Sequence, residues 1–272
     1  MNFFVSNGVR LAYRVDGPEN APVLVMVNSL GTNLHMWDPQ VAALSQRLRI
    51  VRHDCRGLGA SEGASEDGTI EQLGGDLLAL FDTLQIERAH ICGLSLGGLI
   101  ALWFVAQYPE RVSSAIFANT AARIGSGEIW NARIAAVRAG GMAAVRDATL
   151  GRFFSESFRQ QEPEIVRLIG EMVVATNPVG YIGACIALRD ADLRTMVKKI
   201  RVPSLILAGE LDESTPPSQA QELHAAIAGS QLVIFPKVAH LSNVELFEKF
   251  NQALQNFLPG KPPAQTREVE GD

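Results

Sequence analysis

Residues 90–98 read HICGLSLGG and place a single serine, Ser95, among three glycines. An apolar run precedes the serine, and the apolar helical pattern GGLIALWFVAQYP follows it. Gly93 and Gly97 complete a G-x-S-x-G pattern, and glycines suit a sharp turn because neighbouring backbone can approach without a clash at Cβ. Between a strand and a helix, this pattern predicts a nucleophile elbow that exposes the serine Oγ at the carboxyl end of a parallel sheet.

Short apolar runs alternate with helical patterns on both sides of this turn. The runs that predict strands are 23–28, 49–54, 89–94, 113–119, 204–210 and 231–236. Parallel strands joined by helices predict the α/β class, with a mostly parallel sheet flanked by helices on both faces. Asn7-Gly8, between two short strand patterns, predicts an additional antiparallel hairpin at the N-terminus.

Residues 122–196 interrupt the alternation with amphipathic helical patterns and no strand signal. We interpret them as a helical cap inserted into a core formed by residues 1–121 and 197–258. The insertion contains nine arginines and no lysine. Residues 259–272 are polar and rich in proline, which predicts a mobile C-terminal tail.

Composition excludes several classes of protein. The chain of 272 residues has a net charge of -5, which argues against a nucleic-acid binder. The longest charge-free stretch, between Arg88 and Glu110, is broken by glycines and predicts a buried strand and helix rather than a membrane span. No secretory signal is apparent, and the three cysteines lack a pairing motif, so we expect buried thiols and a cytoplasmic protein.

A serine nucleophile needs a base and an acid. His240 follows the last predicted strand, so we expect it at the same sheet edge as Ser95. The loop after strand 204–210 offers Glu210, Asp212 and Glu213, of which Asp212 is far enough along to turn back toward the histidine. The order serine, acid, histidine predicts a catalytic triad of Ser95, Asp212 and His240.

An oxyanion hole requires two N–H donors. The Leu96 N–H, directly after the serine, is predicted to be one of them. The second is expected in the loop after strand 23–27, which reads NSLGTNLHMW.

The triad order, the elbow, the segment HDCRGLGAS (53–61) and the helical insertion resemble the α/β-hydrolase superfamily over nearly the whole chain. The segments NSLGTNLHMWDPQ (28–40), CGLSLGG (92–98) and VPSLILAGELDESTPP (202–217) are similar to bacterial 3-oxoadipate enol-lactonases. Most superfamily members have His-Gly where this chain has Asn28-Ser29, and this departure fits the enol-lactonases. By position, the resemblance implies Leu30 as the second oxyanion donor and assigns Asp54 and Arg56 to organising their loop.

The resemblance implies a serine hydrolase that opens the lactone ring of 3-oxoadipate enol-lactone to give 3-oxoadipate in the catabolism of aromatic compounds. It also implies a small anionic lactone as the binding partner, with no metal and no organic cofactor. The acetate arm of this lactone needs a cation. Trp130 and Arg133 lie one helical turn apart and could both face the pocket, while Arg138 and Arg123 are alternatives to Arg133.

The triad leaves other functions open. A general carboxylesterase, a perhydrolase or a carbon–carbon bond hydrolase would use the same three residues. Relatives that open epoxides or displace halide carry aspartate at the elbow, so Ser95 argues against them. A small-molecule receptor that kept the triad with vestigial hydrolysis is a further alternative from a different class.

Overall fold

A computed structural model describes residues 1–258, so the predicted mobile tail at 259–272 lies outside the described residues. The described chain forms one sheet of eight strands with helices on both faces. The strands are β1 (Asn2–Ser6), β2 (Val9–Asp16), β3 (Val23–Val27), β4 (Arg49–His53), β5 (Ala89–Leu94), β6 (Val112–Ala118), β7 (Ser204–Gly209) and β8 (Gln231–Phe235).

The described residues contain eleven α-helices. They are α1 (Asp38–Leu44), α2 (Ile70–Thr83), α3 (Leu96–Gln107), α4 (Gly127–Gly140), α5 (Ala143–Phe153), α6 (Glu156–Gln161), α7 (Pro163–Val174), α8 (Pro178–Asp190), α9 (Pro217–Ala226), α10 (Ser242–Glu245) and α11 (Phe247–Phe257). The helices α4 to α8 all lie between β6 and β7, in the segment predicted to be helical.

The strand order is β1-β2-β4-β3-β5-β6-β7-β8. β1 pairs antiparallel with β2, and β2 pairs antiparallel with β4, whereas β3 to β8 run parallel. In the β1–β2 turn Asn7 and Gly8 have φ values of 48° and 79°, which suit the left-handed hairpin turn predicted there. The α/β prediction and the N-terminal hairpin are confirmed.

Burial explains the long charge-free stretch around the elbow. Every residue of β5 is buried, as are the residues of α3 from Leu96 to Val105. Strands covered on both faces are apolar throughout rather than alternating. Within residues 1–258 no single helix is long and apolar enough to cross a membrane, and only α7 and α8 reach that criterion together, as a pair bent by 93°.

Two helical stretches of the sequence are interrupted in the structure. The sequence predicts one helix over about 242–258, but α10 and α11 are separated because Leu246 takes the non-helical angles φ -131° and ψ 49°. The continuous pattern over 128–150 divides into α4 and α5 because Gly141, at φ 65°, leaves the right-handed helical region. Hydrophobic periodicity continues across both breaks, so the pattern alone does not reveal them.

Candidate active site

Ser95 lies in the turn between β5 and α3 in a strained backbone conformation. Its φ is 57° and its ψ is -115°, a combination that costs a non-glycine residue about 1–3 kcal/mol. Three hydrogen bonds hold this turn. The Ser95 N–H donates to Ala118 O at 3.0 Å, and its carbonyl accepts from Leu99 N at 2.9 Å and from Thr120 Oγ1 at 2.8 Å.

The glycines around Ser95 allow the strand and the helix to meet closely. A Cβ on Gly97 would lie 2.1 Å from Val27 O at the end of β3, and a Cβ on Gly93 would lie 2.1 Å from Gly97 O. Both contacts are far too short for a side chain. The first turn of α3 therefore starts directly against the ends of the central strands, which explains the pattern seen in the sequence.

His240 and Asp212 are brought together, as the sequence predicts. The His240 Nδ1 lies 2.8 Å from Asp212 Oδ2, and both side chains are buried. The Phe153 ring, at the end of α5, stacks on the imidazole with 5.9 Å between centroids and 22° between planes. The imidazole is thus held by the carboxylate and covered by the inserted helices, with Nε2 as its second ring nitrogen.

Asp212 accepts hydrogen bonds from several groups besides the imidazole. Oδ1 accepts from Ser214 N at 2.8 Å and Thr215 N at 3.0 Å, while Oδ2 accepts from Thr215 Oγ1 at 2.7 Å and Asn119 Nδ2 at 3.0 Å. Burial raises the pKa of Asp212, but His240 and these hydrogen bonds outweigh burial, so its pKa lies below the ordinary value. The carboxylate is therefore ionised and able to stabilise an imidazolium.

The two rival acids are placed elsewhere. The Glu210 Oε2 accepts from Lys237 N at 2.8 Å, on an exposed part of the loop. Glu213 is exposed to solvent. Within residues 1–258, Asp212 is the only one of these three acidic residues that forms a hydrogen bond with His240.

Ser95 and His240 lie at the same edge of the sheet, after β5 and β8. Asn119, directly after β6, joins the loops that contain Asp212 and His240, because its Nδ2 donates to Asp212 Oδ2 and, at 3.3 Å, to Ala239 O. The hydrogen bonds of residues 1–258 do not include one between Ser95 Oγ and His240. Such catalytic contacts are often loose without substrate and tighten in the substrate complex.

The predicted oxyanion donors have no acceptor within the protein. Neither the Leu30 N–H nor the Leu96 N–H donates a hydrogen bond within residues 1–258. Both residues are buried, Leu30 in the loop after β3 and Leu96 at the start of α3. Two buried N–H groups without a protein acceptor can stabilise a developing negative charge.

Asp54 organises the loop that contains Leu30. Its Oδ1 accepts from Leu34 N at 2.7 Å and from Asn28 Nδ2 at 3.3 Å, and its Oδ2 accepts from Ala60 N at 2.9 Å. Asn28 therefore ties the loop to Asp54 from the position where most superfamily members have histidine. Arg56 pairs with the buried Asp76 at 2.5 Å and so fixes the neighbouring loop.

Trp130 and Arg133 lie together on α4. The Trp130 Nε1 donates to Ile124 O at 2.6 Å, which fixes the buried indole. The Arg133 guanidinium lies over the indole, with its Cζ 4.7 Å from the ring centroid, a distance suited to a cation–π contact.

The alternatives to Arg133 are engaged on the surface. Arg138 forms an ion pair with Glu66, and Arg123 lies 3.8 Å from Asp192. Of the three arginines that the sequence singles out, Arg133 is the one not paired with a carboxylate among residues 1–258.

The family model for the alpha/beta hydrolase fold matches residues 22–245. The chain belongs to this family. This chain is similar to 3-oxoadipate enol-lactonase 1 of Acinetobacter baylyi. The two sequences are 40% identical over 251 residues, which cover 92% of this chain and 94% of the relative.

Solved structures of other hydrolases are similarly close. The enol-lactonase of Burkholderia xenovorans has a TM-score of 0.92 at 43% identity and covers 94% of this chain and 99% of its own. A malate-bound esterase of Thermogutta terrifontis has a TM-score of 0.87 at 26% identity and covers 94% and 96%. The predicted resemblance to α/β hydrolases that act on carboxylic esters, and to 3-oxoadipate enol-lactonases in particular, is confirmed.

The α/β-hydrolase site contains polar residues that the sequence analysis missed. Asn119 directly follows β6 at the same edge as Ser95, and this position is the signal that the sequence offers for it, although it is not distinctive. Thr215 lies three residues after Asp212 and is visible only once the loop is folded.

Proposed function

We propose that this chain is a serine hydrolase that opens the lactone ring of 3-oxoadipate enol-lactone, giving 3-oxoadipate through an acyl-enzyme on Ser95. The observation that carries the proposal is the buried His240–Asp212 pair at the sheet edge of the strained Ser95 turn. The similarity to enol-lactonases supports the choice of substrate.

In the proposed acylation, Ser95 Oγ attacks the lactone carbonyl carbon while His240 Nε2 accepts the hydroxyl proton. Asp212 stabilises the resulting imidazolium through Nδ1. The Leu30 and Leu96 N–H groups stabilise the oxyanion. Collapse of the tetrahedral intermediate breaks the ring C–O bond, and the enolate leaves while still attached to the acyl-enzyme.

In the proposed deacylation, the tethered enolate takes up at carbon the proton that His240 received from Ser95 and becomes the ketone, so His240 is neutral again and the ring can no longer reclose. Water then loses a proton to His240 and attacks the acyl carbon. The proton returns to Ser95 Oγ as 3-oxoadipate leaves. All proton transfers use His240, and the sequence of bond changes requires neither a metal nor an organic cofactor.

Residues 122–196 are proposed to form a cap over this site, and the stacking of Phe153 on His240 supports that assignment. Within the cap, Arg133 is proposed to bind the acetate carboxylate of the substrate, with Trp130 as an adjacent wall. A half-buried guanidinium without a carboxylate partner in the described chain suits an anionic substrate. The buried free cysteines favour a cytoplasmic location, where the enzyme would act in aromatic-compound catabolism.

The test is kcat/KM for 3-oxoadipate enol-lactone beside its methyl ester, in which the acetate arm is uncharged. One charged hydrogen bond predicts an acid preference on the order of 10- to 150-fold. The Arg133→Gln variant should remove most of this preference, while Arg138→Gln, on the same helix, should retain it. Product analysis must detect ring opening of the acid.

Equal rates for the acid and the methyl ester would contradict the lactonase proposal and favour a general carboxylesterase. The fold similarity to the Thermogutta terrifontis esterase makes this the leading alternative. If the rate does not depend on the charge of the acetate arm, Arg133 does not bind the carboxylate and only packs within the cap.

A further inference from the structure

The nine arginines of residues 122–196 are not equivalent in the folded chain. Six of them pair with carboxylates, mostly at the surface: Arg123, Arg138, Arg146, Arg167, Arg189 and Arg194. Arg159 is exposed to solvent. Arg133 and Arg152 remain, and both are half-buried without an ion-pair partner among residues 1–258.

Arg152 is fixed beside the proposed catalytic base. It precedes Phe153, whose ring stacks on His240 and whose carbonyl accepts a hydrogen bond from Leu241 N at 2.9 Å. The backbone at Arg152 is therefore joined to the segment that contains the imidazole. Its side chain makes one hydrogen bond in the described chain, from Nη2 to Thr149 Oγ1 at 3.3 Å, so most of its N–H donors are available to a ligand.

Tyr181 of α8 connects the two arginines with the oxyanion loop. The ring is buried, and a Cβ on Gly31 would lie 3.2 Å from its Cε2, so Tyr181 packs against the residue after Leu30. Burial raises the pKa of the Tyr181 hydroxyl, while the charges of Arg133 and Arg152 lower it in part. Because α4 packs against both α5 and α8, the charges of both guanidiniums reach this phenol.

The two guanidiniums also lie close enough to repel each other. Burial and the charge of Arg133 lower the pKa of Arg152, although an arginine stays protonated in a protein. Tyr181 and the exposed Glu213 carboxylate, which forms no ion pair with Arg152 in the described chain, offset this lowering of the pKa only in part. Two half-buried like charges destabilise the fold unless a negative group lies between them. A carboxylate from the substrate would neutralise this repulsion and accept hydrogen bonds from both side chains.

We propose that Arg152 is a second carboxylate-binding residue, which forms with Arg133 and the Tyr181 hydroxyl a two-arginine subsite that selects anionic substrates. The proposal rests on the function proposed above and adds a specificity-determining residue to it. Because the subsite lies between the oxyanion loop and the ring that covers His240, a carboxylate held there would direct the other end of a short molecule toward Ser95.

The first test compares Arg152→Gln with wild-type protein on the acid and the methyl ester of the enol-lactone. The acid-to-ester ratio of kcat/KM should fall on the order of tenfold or more, mainly through a higher KM for the acid. Arg152→Lys keeps the charge but not the planar fork, and should restore part of the ratio. Arg146→Gln on the same helix, where the arginine pairs with Asp147, is the matched control and should keep the ratio.

Arg152 also lies in the last turn of α5, where a cation stabilises the helix end. A purely structural role would lower the rates with the acid and the ester together, and such a result would overturn the subsite. An unchanged ratio in Arg152→Gln would overturn it equally. Thermal unfolding of each variant shows whether the fold is retained, and Arg152→Lys provides a readout if Arg152→Gln fails to fold.

A second measurement separates this subsite from the proposed function. Adipate and its uncharged analogue adipamide are used as inhibitors of p-nitrophenyl acetate hydrolysis, which does not depend on the lactone. Adipate should inhibit the wild-type protein, adipamide should inhibit far less, and Arg152→Gln should raise the adipate Ki about tenfold.

The two proposals then fail in different ways. Selective adipate inhibition that depends on Arg152, with no enol-lactone opening, would support the subsite and overturn the lactonase. Enol-lactone opening with an acid preference that persists in Arg152→Gln would support the lactonase and overturn the subsite.

Discussion

The edge of the sheet and the inserted helices hold their charged groups in opposite ways. At the sheet edge, the Asp212 carboxylate accepts hydrogen bonds from His240, Asn119 and the Thr215 segment, so its bonding capacity is used within the protein. In the inserted helices, Arg133 and Arg152 have most of their donors unbonded within the described residues 1–258. The contrast fits the two proposals, in which the sheet edge performs the chemistry and the arginines, with unused hydrogen-bonding capacity, recognise the substrate.

The largest effect is expected from Ser95→Ala. If the sheet edge performs the chemistry for every substrate, kcat should fall by roughly 10⁶ for the acid and the methyl ester alike. The ratio of the two substrates should not change, in contrast to the arginine variants. Residual activity within about tenfold of wild type would contradict the assignment of Ser95 as the nucleophile and the placement of the chemistry at the sheet edge.

Asp212→Asn should lower kcat by about 10⁴, because an amide favours the wrong imidazole tautomer and cannot stabilise the imidazolium. Single-turnover kinetics with both substrates is the appropriate measurement. Asp190→Asn, which disturbs an exposed ion pair with Arg189 in the inserted helices, serves as the control and should retain activity. A loss below about tenfold in Asp212→Asn would mean that another acid acts on His240.

Asn119→Ala removes one charge-assisted hydrogen bond from Asp212 and should lower kcat by on the order of tenfold. Losing a donor to the ionised form raises the pKa of Asp212, so the acidic limb of the pH–kcat profile should move to higher pH. Asn251→Ala removes an amide that bonds to Pro39 O and Gln40, away from the site. That control should leave the profile in place, and an equal shift in both variants would indicate a general loss of structure.

The smallest expected effect is on the free energy of unfolding, and it comes from His53 in β4 of the sheet. Burial lowers the pKa of His53 to about 4, below the ordinary value of 6.5. Between these values the unfolded chain binds the proton and the folded chain does not, so the free energy of unfolding falls as pH decreases. The expected loss between pH 7 and pH 5 is about 2 kcal/mol.

Denaturant titrations at both pH values should detect this loss in the wild-type protein. In His53→Phe the loss should be smaller by about the same amount, because no group at this position then titrates. An identical pH dependence in both proteins would assign the acid sensitivity to other residues.

The fold, the turn at Ser95 and the contact between His240 and Asp212 could be predicted because their signals are local or follow from strand order. The G-x-S-x-G turn needs only the sequence around it, since its glycines allow a close approach of adjacent backbone that a Cβ would block. His240 and Asp212 follow the ends of parallel strands, and such ends meet at one edge of the sheet. Asn119 obeys the same rule, but an asparagine after a strand is too common in loops to be distinctive.

The sequence by itself determined the α/β class, the hairpin at Asn7-Gly8 and the strained turn at Ser95, because short patterns of burial and turn chemistry specify each of them. Only the tertiary structure decided which arginines of the inserted helices face inward. Nine arginines occur on amphipathic helices of similar pattern. The packing of α4, α5 and α8 brings the charges of Arg133 and Arg152 to Tyr181. The other helical positions leave six arginines paired with carboxylates. Contacts between segments that are distant in the chain have no local signature in the sequence.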